Sequence, residues 1–306
     1  MMNPVLRKEA ITTMRSWKTY GALVLFLVIS AVGAILYIDL SMFQNRDLSF
    51  DPASMVWLYV VLAVVQMGLV LLTAPAVAAG SISGERERQT LDLLLVTKMS
   101  PLSIVLGKLA SSLMYVLLLV VATLPIFAIA FYFGAVSVVQ VAEVFAFVLV
   151  TACMVGSVSV FFSCLFKRTI VSIVLMYLVI GFLCFGTLVL LAFYYMSYDG
   201  LYNGDIPVLA TILILIPNPG VAFFSLMNAQ LGTDVTYSLL RMTDQTSAIY
   251  QWMGTHIWLL HLVFDLVVIV VFVLLSAYII NPVREKKVRK PANKSQDLFA
   301  GFLNVL

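Results

Sequence analysis

Long apolar runs separated by brief polar punctuation dominate the chain. Six runs, at about 19–40, 55–79, 105–133, 140–166, 169–196 and 256–280, are long enough as helices to cross about 30 Å of hydrocarbon. Pro75 and Pro125 lie inside two of them and predict kinks, which membrane helices tolerate when neighbours satisfy the freed carbonyl. Ahead of the first run, residues 4–18 place Leu6, Ala10, Met14 and Trp17 at helical spacing. Arg7, Lys8, Arg15 and Lys18 lie mostly elsewhere around the helix. That pattern predicts an amphipathic helix in the membrane interface, with a plain basic tail as the alternative. The polar segment 197–255 contains two short apolar pieces, 208–216 and 221–231, split by Pro217, Asn218, Pro219 and Gly220. Neither piece can span a bilayer alone. The breaker between them predicts two short external helices, on or dipping into the outer leaflet.

Composition sharpens this picture. The 306 residues are 62% hydrophobic and 11% charged, with a mean hydropathy of +1.07, far from the usual soluble balance. The expectation is an all-α polytopic membrane protein forming one transmembrane domain over 1–306. Cys153, Cys164 and Cys184 all fall inside apolar runs and read as small core residues. The first apolar run is too long for a signal-peptide core, so it reads as a retained span.

Charge sets the topology. With six spans, 16 of the 18 Lys and Arg residues fall on one side, leaving only Arg46 and Arg241 on the other. The positive-inside rule then predicts cytoplasmic N- and C-termini. A seventh span through 208–227 would put the last six basic residues outside and force the Pro-Asn-Pro-Gly turn through the bilayer core. The basic tail, Arg284 to Lys294, anchors topology or binds anionic headgroups. The net charge of +3 gives no reason to expect nucleic acid.

Several chemistries have no footing. The chain lacks a G-x-x-x-x-G-K-[ST] phosphate loop, an H-E-x-x-H zinc helix and a G-x-S-x-G elbow. Its two histidines, His256 and His261, cannot supply a typical histidine-rich metal site. No cofactor is expected on this chain. Polar residues inside the spans are the remaining candidates. Asp265 lies about nine residues into the last span, where a carboxylate costs about 2.5–3.5 kcal/mol to insert. His261 shares its helix face. Gln66 and Glu143 are further polar positions. They line a transport path or proton relay, or they form interhelical hydrogen bonds that fix packing.

One more stretch stands out. Glu85, Arg86, Glu87 and Arg88 alternate in sign at the head of segment 81–104, between the second and third runs. Leu91, Leu94 and Leu95 then recur at i, i+3, i+4 and make a small apolar face. Such a device beside the membrane suits a soluble partner, the charges steering its approach. The plainer reading is a solvated helix that only joins two spans.

The pattern Glu85, Glu87, Thr90, Asp92, Leu94, Leu95, Ser100, Pro101, Ser103, Gly107 and Lys108 resembles the cytoplasmic segment of type-2 ABC-transporter permeases, the exporter class. The layout of interfacial helix, six spans and external helices before the sixth is also similar. Gln89 departs from the pattern, since the family usually has glycine before the threonine. The resemblance implies a coupling helix that docks on a separate ATP-binding subunit through Glu85, Arg86, Glu87, Arg88, Leu91, Leu94 and Leu95. It implies ATP and Mg on that partner, a second permease chain (identical or related), and a prokaryotic cell-membrane location. It also places the path between the second and fifth spans of two halves. The candidate lining is Gln66, Thr73, Tyr177, Thr187 and Tyr194, with His261 and Asp265. An ion channel, a membrane anchor of a complex and a membrane-embedded enzyme are the rival classes. The cargo stays open.

Overall fold

The computed structural model describes residues 17–44, 52–91, 100–132, 136–202, 208–233 and 248–281. These residues contain helices and no strand. Residues 4–16 of the expected interfacial helix, Leu94 and Leu95, stretches 203–207 and 234–247, and the basic tail lie outside the described residues.

Each long apolar run is helical because the backbone has no other way to satisfy its polar groups in hydrocarbon. In chain order the helices are α1 Trp17–Gln44, α2 Pro52–Ala78, α3 Ser83–Glu87, α4 Pro101–Ala122 and α5 Leu124–Tyr132. Then come α6 Val138–Leu165, α7 Thr169–Gly181, a π-helical turn Phe182–Gly186, and α8 Thr187–Tyr202. The last four are α9 Val208–Leu215, α10 Pro219–Leu231, α11 Ala248–Thr255 and α12 Ile257–Ile280. Among the described residues six stretches are long and apolar enough to cross a membrane, with α2–α3, α4–α5 and α7–α8 each forming one span.

The breaks have local causes. Thr123 separates α4 from α5 two residues before Pro125, and its hydroxyl bonds back to the Val120 carbonyl at 2.7 Å. Ser100 caps α4 by accepting from the Ser103 N–H, with Pro101 in the first turn. Ser137 and Gln140 form a capping box at the start of α6, each side chain bonding the other residue's backbone N–H. Helices α9 and α10 bend by 110° at the Pro217–Asn218 break, so they do not run straight as a seventh crossing.

Span α6 is the centre of the bundle. In its most apolar window 72% of residues are buried, against 11% for α7–α8 and 17% for α1. It packs against α2, α4, α7, α10 and α12. Gly156 lets Leu109 of α4 approach closely: a Cβ there would stand 3.1 Å from its methyl group. The main core is built from Leu58, Leu62, Leu119, Phe147 and Leu226, among others. A second, smaller core gathers Ala78, Ile82, Leu91, Val105, Leu109, Val160, Cys164 and Ile280 at the opposite end.

Candidate functional site

The charged segment begins as an extension of the second span. From Met55 to Glu87 the span runs 33 residues, about 50 Å at full helical rise, against about 30 Å of hydrocarbon. Its charged end therefore projects beyond the membrane core. Three of its four opening charges are held by the chain itself. Glu85 pairs with Lys108 at the start of the third span; the lysine side chain is 5% exposed and the glutamate 25%. Arg86 Nη1 donates to the Cys164 carbonyl at the end of α6, 3.1 Å away. Glu87 Oε1 accepts from the Thr169 N–H at 2.7 Å, placing a carboxylate at the positive N-terminus of α7. Arg88 is exposed.

A hydroxyl cluster completes this brace. Ser163 Oγ of α6 accepts from the N–H groups of Ile82 and Ser83, at 3.0 and 2.8 Å. Those are donors at the start of α3 that have no helical partner. Ser83 Oγ reaches Thr169 Oγ1 at 3.2 Å. Ser163 and Thr169 carried no signal in the sequence, because a serine in an apolar span reads as ordinary packing until its partner's position is known.

The end of α3 explains the unusual Gln89. The Thr90 N–H donates to the Glu85 carbonyl at 2.9 Å, and the Gln89 N–H to the Arg86 carbonyl at 3.1 Å. That pair of bonds is a Schellman motif, which puts the residue after the cap in the left-handed region. Gln89 has φ 59°, the single non-glycine residue with positive φ among the described residues. Glycine is the residue that takes this conformation without strain. Leu91, the first of the three leucines expected to face a partner, is instead buried in the smaller core. Within residues 81–91 the exposed positions are Glu87, Arg88, Gln89 and Thr90.

The intramembrane candidates sit at helix joints. Gln66 is fully buried and its Oε1 accepts from Thr123 Oγ1 at 3.0 Å, tying α2 to the break before α5. Thr73 bonds back to the Leu69 carbonyl of its own helix at 2.9 Å. Tyr177 OH donates to the Leu72 carbonyl at 2.5 Å. That is one residue from the Leu71 carbonyl, which Pro75 leaves without a helical donor. Thr187 is buried and bonds back to the Leu183 carbonyl at 2.7 Å. Tyr194 is half-exposed near the far end of the span, its ring 5.8 Å from that of Tyr198. His261 and Asp265 are both fully buried, on one face of α12, with Nε2 and Oδ2 3.4 Å apart. Each of these candidates ties one helix to a neighbour or to itself.

Asn218, which along the chain is only part of a breaker, links two elements. Its Oδ1 accepts from the N–H groups of Gly220 and Val221, capping α10. Its Nδ2 donates to Thr187 Oγ1 at 2.7 Å and to the Cys184 carbonyl at 3.0 Å. Cys184 lies in the π-helical turn, whose register leaves carbonyls outside the regular helical ladder. One side chain thus caps α10 and bolts the α9–α10 hairpin to the fifth span. Asn before Pro at a helix start was a usable cap signal; the bolt was not. Farther along, Gln230 Nε2 donates to Glu143 Oε2 at 2.9 Å, and Tyr59 OH to Gln230 Oε1 at 2.7 Å. Glu143 therefore joins the same hairpin to the fourth span.

Six spans, a helix projecting from one face and a bent hairpin at the other define an all-α polytopic membrane protein. Residues 38–278 match the family described as ABC-2 family transporter protein. The chain belongs to that family: it is the membrane permease subunit of an ABC transporter, a transport subunit and not itself the ATPase. The family implies pairing with an ABC ATP-binding subunit. No curated protein matches the chain.

Proposed function

We propose that the chain is the permease half of an ATP-driven exporter. Two permease chains enclose the path, two ATP-binding subunits with ATP and Mg sit beneath them, and both termini face the cytoplasm. The observation that carries this reading is the brace around α3. A load applied there reaches the third span through Lys108, the fourth through Ser163 and Cys164, and the fifth through Thr169. An element that receives closure of an ATPase and passes it to several spans needs such rigid connections, because each state of a transport cycle must differ in its contacts.

The docking face follows from what the brace leaves over. Glu85, Arg86 and Leu91 hold the segment to the spans, and Glu87 bonds Thr169 while staying exposed. Arg88, together with Leu94 and Leu95 further on, meets the ATPase subunit. Arg88→Glu and Leu94→Asp are expected to weaken co-purification of the ATP-binding subunit and its stimulated hydrolysis, with the permease still folded. Undiminished co-purification and hydrolysis in both variants would refute the docking role. Direction is read separately, from ATP-driven movement of candidate cargo in inside-out vesicles.

The faces of α1 and α7–α8 support a second chain or lipid against them. Ile170, Leu178, Phe182, Phe185 and Phe193 are all more than half exposed along the fifth span.

A further inference from the structure

We propose that His261 and Asp265 form a buried proton-binding site that holds one proton and latches the external hairpin to the last span. The pair lies on α12, packed against α6, α4 and α10. Neither residue is exposed to solvent. His261 Nδ1 lies 2.7 Å from the Ile216 carbonyl, at the bend between α9 and α10. A carbonyl only accepts, so Nδ1 carries a hydrogen. In a neutral ring Nε2 is then a bare lone pair. It lies 3.4 Å from Asp265 Oδ2, which already accepts from Thr151 Oγ1 at 3.2 Å. Both His261 Nε2 and Asp265 Oδ1 are buried without a hydrogen-bond partner.

An ionised carboxylate facing that lone pair would set two acceptors against each other in an apolar site. Phe147 stacks on the imidazole with ring centroids 5.7 Å apart, and no cation is close enough to the carboxylate to form an ion pair among the described residues other than the histidine itself. A single proton between Nε2 and Oδ2 removes the conflict. It rests on the acid, which then donates to Nε2, or on the ring, which then donates to the carboxylate. A second proton would leave a buried cation beside a neutral acid, which the surroundings do not compensate. The occupancy belongs to the pair and not to either residue.

The surrounding titratable groups do not supply this proton's counterpart. Cys153 of α6 is the one that interacts with Asp265. Glu143 of α6 bonds Gln230, and Cys164 of α6 lies in the smaller core. On α4, Lys108 pairs with Glu85, and Tyr115 packs against the main core. Helices α9 and α10 carry no titratable side chain. Because Nδ1 donates to the Ile216 carbonyl beside Pro217, the imidazole that shares the proton also ties the bend between α9 and α10 to α12.

The chain has two histidines, so nitrogen-15 histidine spectra of the full-length permease in lipid nanodiscs contain two ring systems. Infrared spectra of the same sample report carboxyl ionisation. At neutral pH the expected result is imidazolium with an ionised Asp265, or neutral imidazole with a neutral carboxylic acid. Asp265→Asn supplies a permanent N–H donor to Nε2. It should therefore keep His261 neutral, with hydrogen on Nδ1, and remove any acid band. Stability gives a second reading. Above about pH 7.5, about one pH unit past the ordinary histidine pKa, an unfolded chain holds almost no titrating proton on either group. The wild-type folding equilibrium should then fall up to tenfold per pH unit until the pair deprotonates, because the folded state binds one proton more. Asp265→Asn should lack that slope. Neutral imidazole together with an ionised Asp265 at neutral pH would overturn the proposal. If the variant does not fold, the wild-type spectra decide alone.

Discussion

Gln89 shows how one residue can carry a legible cost. Its left-handed backbone is forced by the Schellman bonds at the end of α3, and a residue with a Cβ gives up about 1–2 kcal/mol there. Gln89→Gly is expected to raise stability by only about 1 kcal/mol, because the greater freedom of glycine in the unfolded chain offsets part of the relieved strain. Thermal unfolding of the purified permease checks this; an unchanged or lower midpoint would mean the turn is held without strain. Glu85 is the complementary case. Glu85→Ala removes a carboxylate partner of the Lys108 ammonium, whose side chain is 5% exposed. The expected loss is about 2 kcal/mol, that of a hydrogen bond between charged groups, because Glu85 is partly open to water. Joint replacement by Glu85→Leu and Lys108→Met should restore most of it. A Glu85→Lys change therefore tests the brace and not the docking face.

At the scale of elements, the α9–α10 hairpin is fixed by polar bolts rather than by its own length. Helix α9 has eight residues and α10 has 13. Isolated helices that short are marginal. Asn218→Ala removes both the cap of α10 and the link to the π-helical turn, and should cost about 2 kcal/mol, the top of the range for a lost cap. Asn218→Ser keeps a cap oxygen and loses the two donors, so it should recover about half of that. If alanine and serine cost the same, the bolt to Cys184 and Thr187 dominates. Neither prediction was accessible from periodicity. The π-helical turn leaves no mark in the pattern of apolar positions, because every face of that span is apolar.

At the scale of the molecule, burial separates a core from a periphery. Spans two, three and six pack around α6, the fourth span, while one and five expose broad apolar faces. A cysteine placed at Phe185 or Leu178, both more than half exposed, should cross-link two permease chains if the fifth span meets its counterpart, and remain monomeric if lipid covers it. Topology has its own check. A cysteine at Arg88 should react with a membrane-impermeant reagent only from the cytoplasmic side, and one at Thr233 only from outside. Labelling of both from one side would undo the six-span arrangement.

Much of this architecture is written in the order of apolar and polar residues. Spans are legible because a bilayer demands about twenty apolar residues and full backbone pairing. The Pro125 break, the short external helices and the projecting charged segment follow from the same one-dimensional rule. What residues do inside the bundle is another matter. The sequence placed Glu85 to Arg88 together as steering charges and Leu91 as part of an outward face. Only the tertiary structure shows Glu85, Arg86 and Glu87 bonded to three different spans, and Leu91 turned into the smaller core. Likewise, helical spacing alone put His261 and Asp265 on one face, but the carbonyl of Ile216, 45 residues away in the chain, came from folding. Hydrophobic transfer acts on segments, so composition along the chain determines it. Hydrogen bonds and ion pairs act over about 3 Å between atoms that the chain separates widely, so only the packed structure decides them.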